Sequence, residues 1–180
     1  MGELERWRDF FVLVGTAGAT LLALLFVAVS IGVGFLTAER QAPTRAFYSP
    51  IILHFTAIFF ISAVGLVPAL KPVYFALLIG ACAAVGGCVS MFTVVQLLRN
   101  RWTSYVQDHL AYGLLPAFAY VALLAAAEMI YWGNAAALDV LAGALLLLMV
   151  VNIRNAWDLM LSMVRHQAER RSISACRARP

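Results

Sequence analysis

The polar side chains best placed for chemistry lie in the segment 152–158, near the end of the last apolar stretch. On a helix, Asn152 and Asn155 share a face, and Arg154 and Asp158 stand four residues apart. Such a cluster is typical of a polar ring or an anion-attracting vestibule at a pore mouth. It is equally typical of a helix end on which Arg154 pairs with Asp158 and extends towards the headgroups. The sequence leaves both interpretations open.

Two histidines are the other candidates for proton or metal chemistry. His54 lies one turn into the second predicted span, and His109 precedes the fourth. Because imidazole titrates near neutral pH, His54 is a candidate gate or sensor. A haem held by both histidines needs two imidazoles that face each other, and a hydrogen-bonded structural role for His54 is favoured. We therefore predict no cofactor and no metal site.

Glu128 is the candidate at the opposite end of the protein. It precedes the aromatic pair 131–132 at the end of the fourth stretch, which predicts a position at the outer interface. A salt bridge to Arg8 or Lys71 is one interpretation. A cation-attracting ring at the outer mouth of an oligomer is the other.

Five apolar stretches must position these groups. The chain of 180 residues is 63% hydrophobic and only 12% charged, whereas soluble domains are about 25% charged. Each stretch approaches the ~20 residues that a helix needs to cross a bilayer. The sequence predicts an all-α fold, a polytopic integral membrane protein built as a bundle of about five transmembrane helices. The predicted spans are about 10–36, 51–70, 73–98, 110–131 and 138–161.

The ends of these stretches give the domain organisation. Residues 1–9 form an extracytoplasmic lead, 10–164 the transmembrane domain and 165–180 a basic cytoplasmic tail. The first stretch is longer than a signal-peptide core, so we expect a retained span. Ser49 followed by Pro50 predicts a helix start, and Gly133 followed by Asn134 predicts a turn. The fifth helix is expected to continue into the tail.

Charge asymmetry predicts the orientation. Nine Lys and Arg residues lie on the side of the C-terminus, and three lie on the side of the N-terminus. Positive residues concentrate on the cytoplasmic side of membrane proteins. We therefore expect the N-terminus outside and the C-terminus in the cytoplasm, in a bacterial inner (plasma) membrane. The basic tail is expected to attract anionic lipid headgroups, and no nucleic-acid role is expected.

The first span carries small and mildly polar residues at helical spacing on one face. In lipid, small residues let helix backbones approach closely, and a pore wall also favours small polar side chains. The spacing fits both uses, so Thr16, Thr20 and Ser30 are candidates for lining a pore. The face as a whole is formed by Thr16, Thr20, Ala23, Val27, Ser30 and Gly34.

The motifs of known enzyme classes are missing from the sequence. It has no HExxH, GxSxG, CxxC or phosphate-loop pattern, so we predict that the protein is not an enzyme. No ionisable residue is expected near the membrane midplane, which disfavours coupled transport. The leading hypothesis is a small homo-oligomeric membrane channel or passive transport protein for ions or small solutes. The alternatives are a non-transporting accessory or scaffold subunit and a haem- or quinone-binding electron carrier.

Overall fold

The computed structural model describes residues 5–33, 38–99 and 113–177, and these ranges contain helices and turns but no strand. The all-α class is therefore confirmed for the part of the chain that is described. Within these ranges, five helices follow one another in sequence. They are α1 (Arg8–Val33), α2 (Ala38–Gly65), α3 (Pro72–Arg99), α4 (Leu115–Tyr131) and α5 (Ala137–Arg177).

Three of these helices are long and apolar enough to cross a membrane. The candidate segments are Arg8–Ala28, Pro72–Gln96 and Ala137–Leu161, in α1, α3 and α5. The apolar part of α2, Pro50–Gly65, and the whole of α4 are shorter, at 10 to 17 residues. The structure thus agrees with an integral membrane protein, whereas five crossings stay a prediction. The predicted span ends at 36 and 110 lie outside the described residues.

Helix α2 differs from its prediction at both ends. It begins at Ala38, so the helix start predicted at Ser49 and Pro50 is wrong. The polar residues before Pro50 are already helical, so Pro50 lies inside a continuous helix. The helix stops at Gly65 rather than at 70. Pro68 explains the early end, since it lacks an N–H donor and disfavours the helical conformation of the residue before it.

The connection from α4 to α5 is a short turn that the sequence predicted correctly. Gly133 has a positive φ of 71°, which its missing Cβ permits. The N–H of Gly133 donates to Ile130 and that of Asn134 donates to Met129, at 3.1 and 2.9 Å, which is a Schellman end. The Asn134 Oδ1 then accepts the N–H of Ala136 at 2.9 Å. The two helices are therefore antiparallel neighbours.

Helix packing makes α5 the best enclosed of the three long helices. In its most apolar window 56% of the residues are buried, against 22% in α1. The N-terminal part of α1 lies against α2 where two glycines permit close approach. A Cβ at Gly15 would lie 3.0 Å from the Ser62 Cβ, and one at Gly18 would lie 3.3 Å from the Ile58 Cγ2. Prediction and structure agree that α5 continues as one helix to Arg177.

Candidate functional site

A buried hydrogen bond between His54 and Tyr120 joins α2 to α4. The His54 Nδ1 and the Tyr120 hydroxyl are 2.8 Å apart, and the two ring centroids are 5.4 Å apart. His54 is 2% exposed and Tyr120 is 1% exposed. This is the hydrogen-bonded histidine that the sequence favoured. A buried histidine–tyrosine pair holds two helices in a fixed relation, because each polar group would otherwise lie unsatisfied in an apolar interior.

Tyr120 fits against α3 because residue 86 is a glycine. A Cβ at Gly86 would overlap the Tyr120 ring and hydroxyl, and one at Gly87 would lie 3.6 Å from the Tyr120 Cβ. The paired glycines therefore form a shallow seat for the aromatic ring on the surface of α3. Small residues allow helices to pack closely. At Gly86 and Gly87 of α3, the side chain that packs against them is Tyr120 of the same chain.

A second buried polar contact joins α5 to α2, one turn from His54. The Asn152 Nδ2 donates to the Ile51 carbonyl at 2.9 Å, across 101 residues of sequence. Asn152 is 0% exposed, and its Oδ1 has no hydrogen-bond partner. Because Ile51 and His54 are three residues apart on α2, the two contacts lie on neighbouring parts of that helix. We call His54, Tyr120 and Asn152 the polar junction.

The polar segment 152–158 divides between two sides of α5. Asn155, at 2% exposed, is buried like Asn152. Arg154 and Asp158 lie on the outer side, where their side chains are 46% and 38% exposed and form an ion pair at 3.9 Å. Since the asparagines point into the bundle, they cannot share a lining surface with Arg154 and Asp158. The pairing of Arg154 with Asp158 is therefore observed, but it lies inside α5, which continues to Arg177, and not at a helix end.

The small and polar face of α1 points away from the bundle. Thr16, Thr20, Ala23, Val27 and Ser30 are all exposed, and we call these five residues the outward stripe. The Thr20 hydroxyl donates to the Thr16 carbonyl at 2.8 Å, and the Ser30 hydroxyl donates to the Phe26 carbonyl at 2.7 Å. Gly15 and Gly18 face α2 instead. Gly34 lies outside the described residues.

Glu128 lies at the C-terminal end of α4 and is exposed. Its Oε1 accepts a hydrogen bond from the Trp132 Nε1 at 3.3 Å, one turn further along. The predicted salt bridge to Arg8 or Lys71 is wrong, since Arg154–Asp158 is the ion pair found in the described ranges. Trp132 follows Glu128 by four residues and lies on the same face of the chain turn. Its indole N–H, rather than a cationic side chain, is therefore the partner of the Glu128 carboxylate.

His109 lies outside the described residues, so a paired-histidine haem site has one described candidate ligand. The Nδ1 of that ligand, His54, is engaged with Tyr120. Within the described ranges no group of three His, Cys, Asp or Glu residues is arranged to hold a metal ion.

Sequence reasoning identified His54 and Asn152 but missed their partners. Tyr120 was not singled out, because an aromatic residue in an apolar span is usually core. Gly86 and Gly87 are small residues in an apolar span, and such residues favour close packing in general. A usable signal was present, since two adjacent glycines in one span make room for one large side chain from another.

His54 lies deeper in its helix than its predicted position. It is eleven residues before the end of α2 at Gly65, or about 16 Å along the axis at 1.5 Å per residue. The sequence had placed it one turn from a helix end. The observed α2 continues for twelve residues before Pro50, whereas in its apolar part, Pro50–Gly65, His54 still lies one turn from the start.

Comparisons with known proteins add no information about the fold or the polar junction. No family model, curated protein or solved structure matches this chain.

Proposed function

We propose that the protein is a small homo-oligomeric membrane channel, or a passive transport protein, for ions or small solutes. The outward stripe of α1 is the observation that supports this proposal. The other side of α1 packs against α2 and α5, while this face, which carries three hydroxyl residues, is exposed in the described part of the chain. A repeated face of this kind suits contact between copies of one chain.

The interior of a single chain is too well filled for a conducting path. Aromatic side chains occupy the centre of the bundle, among them Phe11, Phe55 and Phe75, each 0 to 1% exposed. Phe11 and Phe75 meet edge to face with centroids 6.1 Å apart. A path for a hydrated solute would therefore run between copies, along a symmetry axis. The outward stripe then lines that path or packs beside it.

Hydroxyl groups at helical spacing suit either position. Thr20 and Ser30 satisfy their hydroxyl protons within α1, so they tolerate an apolar neighbour. Their oxygens keep acceptor capacity for water or a cation. Small side chains also allow two copies of α1 to approach closely.

The proposed topology has five crossings, with the N-terminus outside and the C-terminus in the cytoplasm of a bacterial inner membrane. Two of the crossings are the shorter helices, α4 and Pro50–Gly65 of α2. Short hydrophobic helices are accommodated by local thinning of the bilayer and by flanking residues that extend to the interface. Reporter fusions at the two termini test the topology, and a cytoplasmic location of the N-terminus would contradict it.

Flux and assembly of the purified protein test the proposed function. The full chain is reconstituted into liposomes, its oligomeric state is measured in native nanodiscs, and ion and solute release is recorded. We expect a closed ring of three or more copies and flux without a driving gradient of a second ion. A lone protomer with no flux of any solute would overturn the proposal.

A matched pair of threonine variants separates the stripe from ordinary lipid-facing positions. Thr20→Leu adds bulk to the outward stripe and removes a hydroxyl. Thr56→Leu does the same on α2, where an exposed hydroxyl also donates to its own helix, to the Ile52 carbonyl at 2.8 Å. We expect the Thr20 variant alone to change flux or assembly. If the two variants changed flux and assembly equally, the outward stripe would no longer support the proposed function.

An accessory or scaffold subunit is the competing function, because the outward stripe is equally able to pack dryly against another membrane protein. That function predicts a protomer that remains alone after purification and recovers a stoichiometric partner from native membranes. We propose no enzymatic activity for the chain. The lipid bilayer, with anionic headgroups near the C-terminal tail, is its proposed environment.

A further inference from the structure

The proposed path between copies leaves the polar junction unused. His54 is a titratable group inside an apolar bundle, and such groups carry function more often than packing alone explains. We propose that His54 and Tyr120 form a proton-operated latch: neutral His54 holds Tyr120 on its glycine seat and keeps α4 against α2, and a proton bound by the imidazole releases that contact.

The geometry gives the latch a defined closed position. The hydrogen bond joins residues 66 positions apart in sequence. It therefore links two separate helices and depends on how they pack. The Tyr120 ring lies between His54 on one side and Gly86 of α3 on the other. A displacement of Tyr120 therefore affects three helices at once.

The described charged side chains on the neighbouring helices are exposed or half-exposed, whereas the imidazole of His54 is buried. Helix α1 carries its charges in the first turn, and α3 presents Cys82, one turn before Gly86. On α4 the carboxylate is Glu128, two turns from Tyr120, and on α5 the groups are Asp139, Arg154 and Asp158. None of the described carboxylates forms an ion pair with His54.

This arrangement sets the direction of the pH effect. An imidazolium without a carboxylate partner is costly in an apolar interior. The proton therefore binds better to a conformation in which His54 reaches water, and binding shifts the population towards that conformation. The closed latch is stable at high pH and is lost as the pH falls. For one proton, the ratio of closed to open changes by up to roughly tenfold per pH unit.

Cys82 provides a native reporter of the latch. It is half-buried on the same face of α3 as Gly86, whereas Cys88 is exposed. The full chain carries three cysteines, so replacing Cys88 and Cys176 by alanine leaves Cys82 alone. A second protein that keeps only Cys88 corrects for the intrinsic pH dependence of the reagent. Both are reconstituted in nanodiscs and labelled with dithiodipyridine between about pH 8 and about pH 4, a range chosen to span histidine titration.

We expect the Cys82 to Cys88 labelling ratio to rise by up to roughly tenfold per pH unit as the latch opens. His54→Gln keeps a hydrogen-bonding side chain but does not titrate, so its ratio should be flat. Tyr120→Phe removes the contact, so its ratio should be raised already at high pH. A wild-type ratio that does not change, or an equal rise in His54→Gln, would overturn the latch.

Direct detection of the proton on His54 tests the latch even if His54→Gln or Tyr120→Phe fails to fold. The chain has three histidines, and a His109→Gln, His166→Gln protein retains only His54. Its imidazole nitrogens report protonation by ¹⁵N NMR in the bilayer. Protonation and the labelling ratio should change at the same pH. Labelling that rises while His54 stays neutral contradicts the proposal. Neither readout requires flux, so the latch and the proposed channel fail independently.

Discussion

The outward stripe of α1 and the polar junction contain side chains of similar polarity, yet the bundle exposes one and buries the other. A threonine or serine hydroxyl can satisfy itself on a carbonyl one turn back, as Thr20 and Ser30 do. An asparagine amide has two donors and an acceptor that its own helix does not satisfy, and Asn152 takes its partner from α2. In these two regions, the hydroxyls that bond their own helix face outward, and the amide that needs a partner on another helix is buried.

The largest expected effect comes from filling the glycine seat. Gly86→Ala places a Cβ in the Tyr120 ring and displaces the polar junction, so we expect a loss of about 2 kcal/mol in the free energy of unfolding. Gly143→Ala is the matched control, because no atom lies within 4 Å of its added Cβ. Unfolding by SDS in mixed micelles measures both. Equal stability of the two variants would show that Tyr120 relaxes without cost.

The next effect tests the polarity of the buried asparagine. Asn152→Asp removes the donor to Ile51 and puts a carboxyl group in the interior, so we expect a loss of about 2 kcal/mol. Asn152→Leu removes the donor together with the Oδ1 that has no partner, so its cost should stay within about 1 kcal/mol. Unfolding titrations compare the two. A leucine variant less stable than the aspartate variant would contradict the assignment of Asn152 to the polar junction.

Tyr120→Phe is expected to cost about 1 kcal/mol in the free energy of unfolding, because hydrogen bonds between membrane helices contribute about 0.6 to 2 kcal/mol. The cost is to be measured in a double-mutant cycle with His54→Ala, which isolates the energy of the pair. Additive effects of the two substitutions would mean that the hydrogen bond contributes nothing, and the junction would then depend on packing alone.

Substitutions on the outward stripe should leave the single chain nearly unchanged. Thr16→Val removes an exposed hydroxyl and keeps the side-chain shape, so the free energy of unfolding of the protomer should change by less than about 0.5 kcal/mol. The same measurement on the assembled protein should show a larger change if copies meet on this face. If Thr16→Val destabilised the protomer as much as Tyr120→Phe does, the proposed difference between the outward stripe and the polar junction would be contradicted.

The smallest effect is expected for the ion pair on the outer side of α5. Arg154 and Asp158 are 3.9 Å apart with well-exposed side chains, and exposed i,i+4 pairs contribute about 0.3 to 0.5 kcal/mol. Asp158→Asn should therefore change the free energy of unfolding by no more than that amount. Measurement at low and high salt checks the assignment, because any contribution of an exposed pair should weaken with ionic strength.

Local signals predicted the fold well where they act within a few residues. Pro72 opens α3, and Gly133 with Asn134 ends α4, as the sequence indicates. The start of α2 was mispredicted because a proline after a serine is also tolerated inside a helix that continues from a polar segment. A terminal signal is weak when the flanking residues favour a helix on both sides.

The candidate site was only partly predictable. His54, Asn152 and Asn155 stood out because polar residues in apolar stretches are few. Their partners could not be found, since the rotation of each helix about its axis decides which residues meet. In helices that are apolar nearly all round, the sequence pattern gives little indication of that rotation. Tyr120 reaches His54 through packing that involves Gly86 on a third helix, and no spacing along one segment indicates such a contact.

Helix α5 has a mechanical consequence. It runs without a break for 41 residues, or about 61 Å at 1.5 Å per residue, which is twice the ~30 Å of a bilayer core. The apolar part ends at Leu161, so the last sixteen residues extend about 24 Å further along the same axis. A continuous helix transmits tilt and rotation along its length. A change in tilt at the C-terminal end of α5 would therefore also move Asn152 in the bundle.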